Sequence, residues 1–263
     1  MTVEDWAREY ILTTDLAFKL APPPPPDAWA DGPAERVVAP GRPDVFTIEE
    51  RAHKARGLNA PSGRARALHT FLHHELQAAE LMAWALLAYP DAPRAFRQGL
   101  VRILQDEARH MRMYAEHIER LGYEVGAFPV RDWFWLRVPA CADPASFVAT
   151  MGLGFESANL EHTARFAARF RSAGDEEGAR VQEVVGREEI AHVRFGVKWF
   201  LHFRQELGFD DWSRALPAPL SPLFMRGSPL QRDARRQAGQ TDAFLDALAA
   251  WNPDEAPCPS PGS

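Results

Sequence analysis

Two short strings constrain this chain more than anything else in it: Glu107-Ala108-Arg109-His110 and Glu189-Ile190-Ala191-His192. Each lies inside a long helix-forming stretch, where a Glu and a His three residues apart share one face and can reach the same metal ion. Two further stretches of the same kind carry Glu75 and Glu156. Two Glu-x-x-His pairs plus one Glu from each of two other helices form a ligand set for a pair of metal ions at the centre of a helix bundle. The spacing repeats as well: Glu75 precedes Glu107 by 32 residues (107 − 75) and Glu156 precedes Glu189 by 33 (189 − 156), as if one helical hairpin had been used twice. Four carboxylates in a core would each cost several kcal/mol, and two divalent cations cancel their charge.

The end signals predict four long helices. The first runs from Ser62, read as an N-cap, to Tyr89 before Pro90; the second starts at Asp91 with Pro93 in its first turn and closes before Gly122. The third opens on Asp143-Pro144 and ends near Gly174, and the fourth runs from Asp175 to a point before Gly208. These make two antiparallel pairs, joined by Tyr123 to Ala142, which is long against the usual roughly 2 to 8 residues and suits a crossover along a bundle. Before the helices, residues 3–20 show helical spacing, Pro22 to Pro26 stop it, and Ala28 to Asn59 reads as an extended wrapping segment. After them, the tail from Pro217 is proline-rich, with a short helix over Asp242 to Trp251 and a disordered end from Asn252 to Ser263. The expectation is an all-α chain with an arm at 1–60, a four-helix bundle at 61–208 and an extension at 209–263.

Several positions stay open on this reading. Glu80 and Glu161 each follow a ligand candidate by five residues, about 140° around the helix, so only one member of each pair can face the metals. Glu75 shares its face with Leu68, Leu72, Ala79 and Met82, and Glu156 with Leu153, Leu160 and Thr163, which favours these two and leaves Glu80 and Glu161 as surface or supporting groups. Asp106 and Glu188 stand one residue before a ligand Glu and read either as partners for the outer nitrogen of the imidazole on the opposite hairpin or as exposed acids on a helix flank. Tyr114 is a candidate relay, against the plainer reading of a core tyrosine with a satisfied hydroxyl. His69, His73 and His74 read as satisfied or solvated histidines, and Gly152 and Gly154 as close-packing positions or as the edge of a pocket.

Composition removes other classes. A net charge of −6 argues against general nucleic-acid binding. The two cysteines, Cys141 and Cys258, are too far apart in sequence for a paired metal motif, which fits a cytoplasmic chain. No apolar run approaches the roughly 18 residues of a membrane span.

The motifs resemble the ferritin-like proteins of domain-of-unknown-function family 455, distant relatives of tRNA-modifying di-iron hydroxylases. The resemblance is carried by Pro40-Gly41-Arg42-Pro43, LHTFLHHELQAAEL around Glu75, DEARH at 106–110, FESANLEH at 155–162, REEIAHVRFGVKWF at 187–200 and GSPLQRDARRQAG at 227–239. It implies a ferritin-like bundle with metal ligands at Glu75, Glu107, His110, Glu156, Glu189 and His192, two iron ions (or manganese, or a mixed pair), and O2 or peroxide chemistry. Ser157-Ala158-Asn159 departs from the family's more usual Ala-Arg-Gly. The leading expectation is a non-haem di-iron oxidoreductase, with Glu107 and Glu156 or their symmetry mates shared between the metals. Its partners would be an external electron donor, a small-molecule or modified-nucleoside substrate and a second copy in a homodimer. The rivals are a ferritin-type iron- or peroxide-handling protein without organic substrate, and a binding bundle with a vestigial site.

Overall fold

The computed structural model describes residues 1–30, 32–50 and 57–253, and these form an all-α structure; the one β-type contact among them is an isolated bridge between Ile48 and Val130. Cys258 and the end from 254 onward, expected to be disordered, lie outside the described residues.

Helix α1 (Val3–Leu12) starts on a capping box between Thr2 and Asp5. The helix expected over 3–20 is broken, because the Asp15 side chain accepts from the Ala17 amide and begins a separate α2 (Leu16–Leu20). This turn brings Lys19 back onto the end of α1, where its ammonium donates to the carbonyls of Tyr10 (3.0 Å) and Ile11 (3.1 Å).

The two hairpins follow. Helix α3 (Pro61–Ala88) and α4 (Arg94–Arg120) pack along their length, joined by a short turn. Pro61 takes the first helical position of α3, so Ser62 lies inside the helix and is not its cap. Pro93 is itself the cap residue of α4, not part of its first turn. The third helical run is α5 (Pro144–Thr150), a π-helical turn over Met151–Glu156, and α6 (Ser157–Ser172). Asp143 caps it in a box with Ser146, and the Ser157 hydroxyl donates to the Gly152 carbonyl across the π turn (3.1 Å). Helix α7 (Glu176–Arg204) is capped by Asp175 and pairs with α6. It also packs on α4 and α5, which joins the hairpins.

The close approach of α7 to the π turn needs glycine on both sides: a Cβ on Gly152 would lie 2.6 Å from the Cα of Gly196. Gly154 faces the tail, since its Cβ would meet the Met225 sulfur at 2.7 Å. Packing therefore explains both glycines, and the pocket-edge reading of Gly154 is corrected.

Beyond the hairpins, α8 (Phe209–Ala215) lies on α5, α9 (Arg232–Gln237) on α6 and α7, and α10 (Asp242–Ala250) on α8. Trp6 and Tyr10 of the arm and Trp212, Phe244 and Leu248 of the extension belong to the same buried cluster as the hairpins. Each such side chain contributes roughly 1.5–3 kcal/mol or more by leaving water, so arm and extension help hold the helices around the centre.

Candidate metal centre

Four helical runs each send carboxylates or imidazoles to one buried point. Donor atoms of Glu75, Glu107, His110 and Glu189 lie within 4.8 Å of one another, and so do those of Glu107, Glu156, Glu189 and His192. All six residues are buried. Glu107 and Glu189 belong to both groups, whereas Glu75 and Glu156 belong to one each. The shared pair is thus Glu107 with Glu189, because α4 and α7 are neighbours and their glutamates meet between the groups. Glu156, expected with Glu107 or through their symmetry mates to be shared, belongs to one donor group only.

Both imidazoles turn Nδ1 inward. His110 Nδ1 is 3.1 Å from Glu107 Oε2 and 3.8 Å from Glu189 Oε1; His192 Nδ1 is 3.0 Å from Glu107 Oε1 and 3.1 Å from Glu189 Oε2. The outer nitrogens meet acids crosswise between the hairpins: His110 Nε2 lies 2.7 Å from Glu188 and His192 Nε2 lies 3.4 Å from Asp106. Such a partner fixes ring orientation and presents the other nitrogen to a metal. Arg109 ties the two acids together, at 2.6 Å from Glu188 and 2.9 Å from Asp106.

The electrostatics are those of a crowded acid cluster. Burial, and then the charges of Glu107 and Glu189, push Glu75 well above the usual carboxylate range. Glu156 is pushed the same way by burial, Glu189 and Glu107. Burial also works to raise Glu107, but the charge of His192 and its hydrogen bonds to both imidazoles hold it low. Burial pulls His110 down, yet its hydrogen bonds to Glu107 and Glu188 outweigh that and raise it to about 10. His192 rises well above its ordinary value against burial, through Glu189 and Glu107. These shifts favour proton uptake by the cluster, and bound divalent cations would balance the same carboxylates.

The donor set fits a metal pair on one further count. Glu156 Oε1 is buried with no hydrogen-bond partner, an arrangement that is costly for a polar atom without a ligand. Four carboxylates and two imidazoles are oxygen and nitrogen donors of the kind that suits iron and manganese.

Glu80 and Glu161 are buried, not on the surface, and each anchors a segment from outside the hairpins. Glu80 receives Lys19 (2.6 Å), Arg42 (2.5 Å) and the Trp135 indole N–H (2.7 Å). Glu161 receives Arg235 at both oxygens (2.8 and 2.6 Å) and the amides of Gly227 and Gln231. Their helix face, turned away from the cluster, is covered by arm and extension, which is why neither reaches water.

Tyr114 is a buried core residue whose hydroxyl accepts from Gln182 (3.3 Å). His69 meets the carbonyls of Ala65 and Glu124, and His73 meets Asp132 (2.9 Å). His74 stacks on Phe134 and lines a cavity of about 70 Å³ that also touches Glu75 and Glu156. Phe71, Phe134, Phe155 and Phe224 form the apolar walls, with His162 and Asn159 beside them. The Asn159 amide donates to Glu189 (3.2 Å). Sequence spacing missed Asn159, His162 and the Arg109 tie; Asn159, three residues after Glu156, had a helical signal that pointed to it.

Among curated proteins, one from Haemophilus influenzae, itself uncharacterised, is 26% identical over 203 residues, covering 73% of this chain and 69% of that one. No solved structure matches the chain. The family model described as "Protein of unknown function (DUF455)" matches residues 3–246, and the chain belongs to that family.

Proposed function

We propose that this chain is a non-haem di-metal oxidoreductase of ferritin-like architecture, which activates O2 or peroxide to oxidise or hydroxylate a substrate. The observation that carries the reading is the pair of donor groups sharing Glu107 and Glu189, set beside a cavity that reaches Glu75 and Glu156. Glu75, Glu107, His110 and Glu189 would hold one ion, and Glu107, Glu156, Glu189 and His192 the other. When bound, a pair of iron ions, or manganese or a mixed pair, supplies the electrons that O2 or peroxide chemistry needs.

The chain's own residues do the rest. Asp106 and Glu188 hold the imidazoles with Nδ1 inward. The four phenylalanines give an apolar part of a substrate a place next to Glu75 and Glu156. His74, pushed down to about 3 by burial and then by His73 and His162, offers that cavity a neutral imidazole. Reducing equivalents must come from outside, since the sequence carries no dinucleotide-binding glycine motif and no iron–sulfur cysteine set.

The aromatic cavity favours an organic substrate over iron or peroxide handling alone. The test is O2 uptake by the metal-loaded, chemically reduced protein. Uptake that disappears in Glu75→Ala/Glu156→Ala supports the reading. A protein that takes up no metal, or one that assembles into a large hollow shell and mineralises iron, contradicts it.

A further inference from the structure

The cavity opens beside α3 and α6, but the histidines lie under the seam of α4 and α7, and there a partly exposed acid is one hydrogen bond from each imidazole. Glu188 and Asp106 bond the outer nitrogens of His110 and His192, and Arg109 bonds both acids. Their side chains are 35%, 42% and 38% exposed, so this one layer separates the imidazoles from solvent.

The face around that layer is basic, although the whole chain carries −6. Arg102 lies two turns before Arg109 on α4, and Arg187, Arg194 and Lys198 form an exposed stripe on α7 next to Glu188. None of these four has a carboxylate partner among the described residues: Arg194 donates to the Gln237 carbonyl, and Lys198 lies over the Trp199 ring. The acids of the same faces are engaged, Asp106 and Glu188 as above, Glu183 with Arg171 and Glu116 with Arg120. The stripe is thus a local positive field beside the layer of Asp106, Arg109 and Glu188 that covers the imidazoles.

We propose that this face of α4 and α7 docks an acidic electron-transfer protein, whose electrons would pass by way of Glu188, Asp106 and the two imidazoles to the metal ions that His110 and His192 would hold. The inference rests on the oxidoreductase reading. Two donors, each losing one electron, would bring a pair of trivalent ions to the divalent state, and no bond in the protein forms or breaks. Substrate and reductant would then approach from opposite sides, and neither would have to leave for the other.

The test uses a reduced plant-type [2Fe–2S] ferredoxin as the acidic probe and dithionite as the small reductant, acting on the metal-loaded protein, with ferredoxin binding followed separately by calorimetry. For the wild type, reduction by ferredoxin should slow as salt rises. Arg187→Glu/Lys198→Glu should lower both its rate and its binding by about tenfold or more and leave the dithionite rate unchanged. An unchanged ferredoxin rate in the variant, or a wild-type rate indifferent to salt, would overturn the proposal. So would binding of tRNA or phosphatidylglycerol vesicles, abolished by the same reversal, with no binding of ferredoxin. If instead the protein holds no metal, the oxidoreductase reading fails, and the calorimetric comparison still decides the docking face.

Discussion

The guanidinium of Arg235 lies along the carboxylate of Glu161, with Nε 2.8 Å from one oxygen and Nη2 2.6 Å from the other, and both side chains are shut away from water. Arg42, from the arm and not from the extension, likewise pairs with buried Glu80, but through Nη1 to one oxygen, while its Nε and Nη2 turn to Asp132. Each carboxylate follows a cluster glutamate by five residues. The internal repeat thus extends beyond the metal ligands to the way the two hairpins are wrapped.

Removing one partner of such a buried pair strands the other. Arg235→Met should cost about 3–5 kcal/mol in denaturant unfolding, and Glu161→Leu/Arg235→Met much less. Metal content of the folded single variant should match the wild type, because Glu161 stands outside both donor groups. Loss of metal from that variant would return Glu161 to the ligand set.

The arm is held by a second network with a pH signature. Burial works to raise Asp132, but hydrogen bonds from His73 and Arg42 prevail and lower it to about 2 from 3.8. A depressed carboxylate stabilises the fold above its unfolded value, and that contribution disappears as pH falls from about 4 through 2. The contribution is on the order of 2 kcal/mol. Urea unfolding between pH 5 and 2 should show this loss in the wild type and a flatter acid limb in Asp132→Asn. Equal slopes would contradict the assignment.

Much of the site was legible because its signal is local. A Glu and a His three residues apart share a helix face whatever the tertiary fold, so Glu107, His110, Glu189 and His192 could be read from spacing, and the apolar neighbours of Glu75 and Glu156 chose these two over Glu80 and Glu161. The fate of Glu80 and Glu161 was not legible, since their partners Arg42 and Arg235 lie 38 and 74 residues away. The π turn before Glu156 leaves no mark in a residue count. The cavity joins Phe134 of the crossover, Phe155 of the π turn and Phe224 of the extension, three segments with no shared periodicity. Asp15 split the first helix through a side-chain hydrogen bond that apolar spacing does not register.

Metal uptake should displace protons. Glu75, Glu156, His110 and His192 all sit above their ordinary values, so each holds its proton to higher pH than a free side chain would and gives it up when a cation takes over the charge balance. Affinity should therefore rise with pH, and calorimetry in buffers of different ionisation enthalpy should report proton release on binding. Affinity independent of pH, or no proton release, would mean the cluster does not receive the metal.

The most direct measurement is the metal stoichiometry of single variants, by elemental analysis after loading with Fe(II) and desalting. The wild type should hold about two ions per chain, Glu75→Ala about one, and Glu107→Ala or Glu189→Ala close to none, because each shared carboxylate serves both positions. Equal retention in Glu75→Ala and Glu189→Ala, or no bound metal in the wild type, would contradict a metal pair held across Glu107 and Glu189.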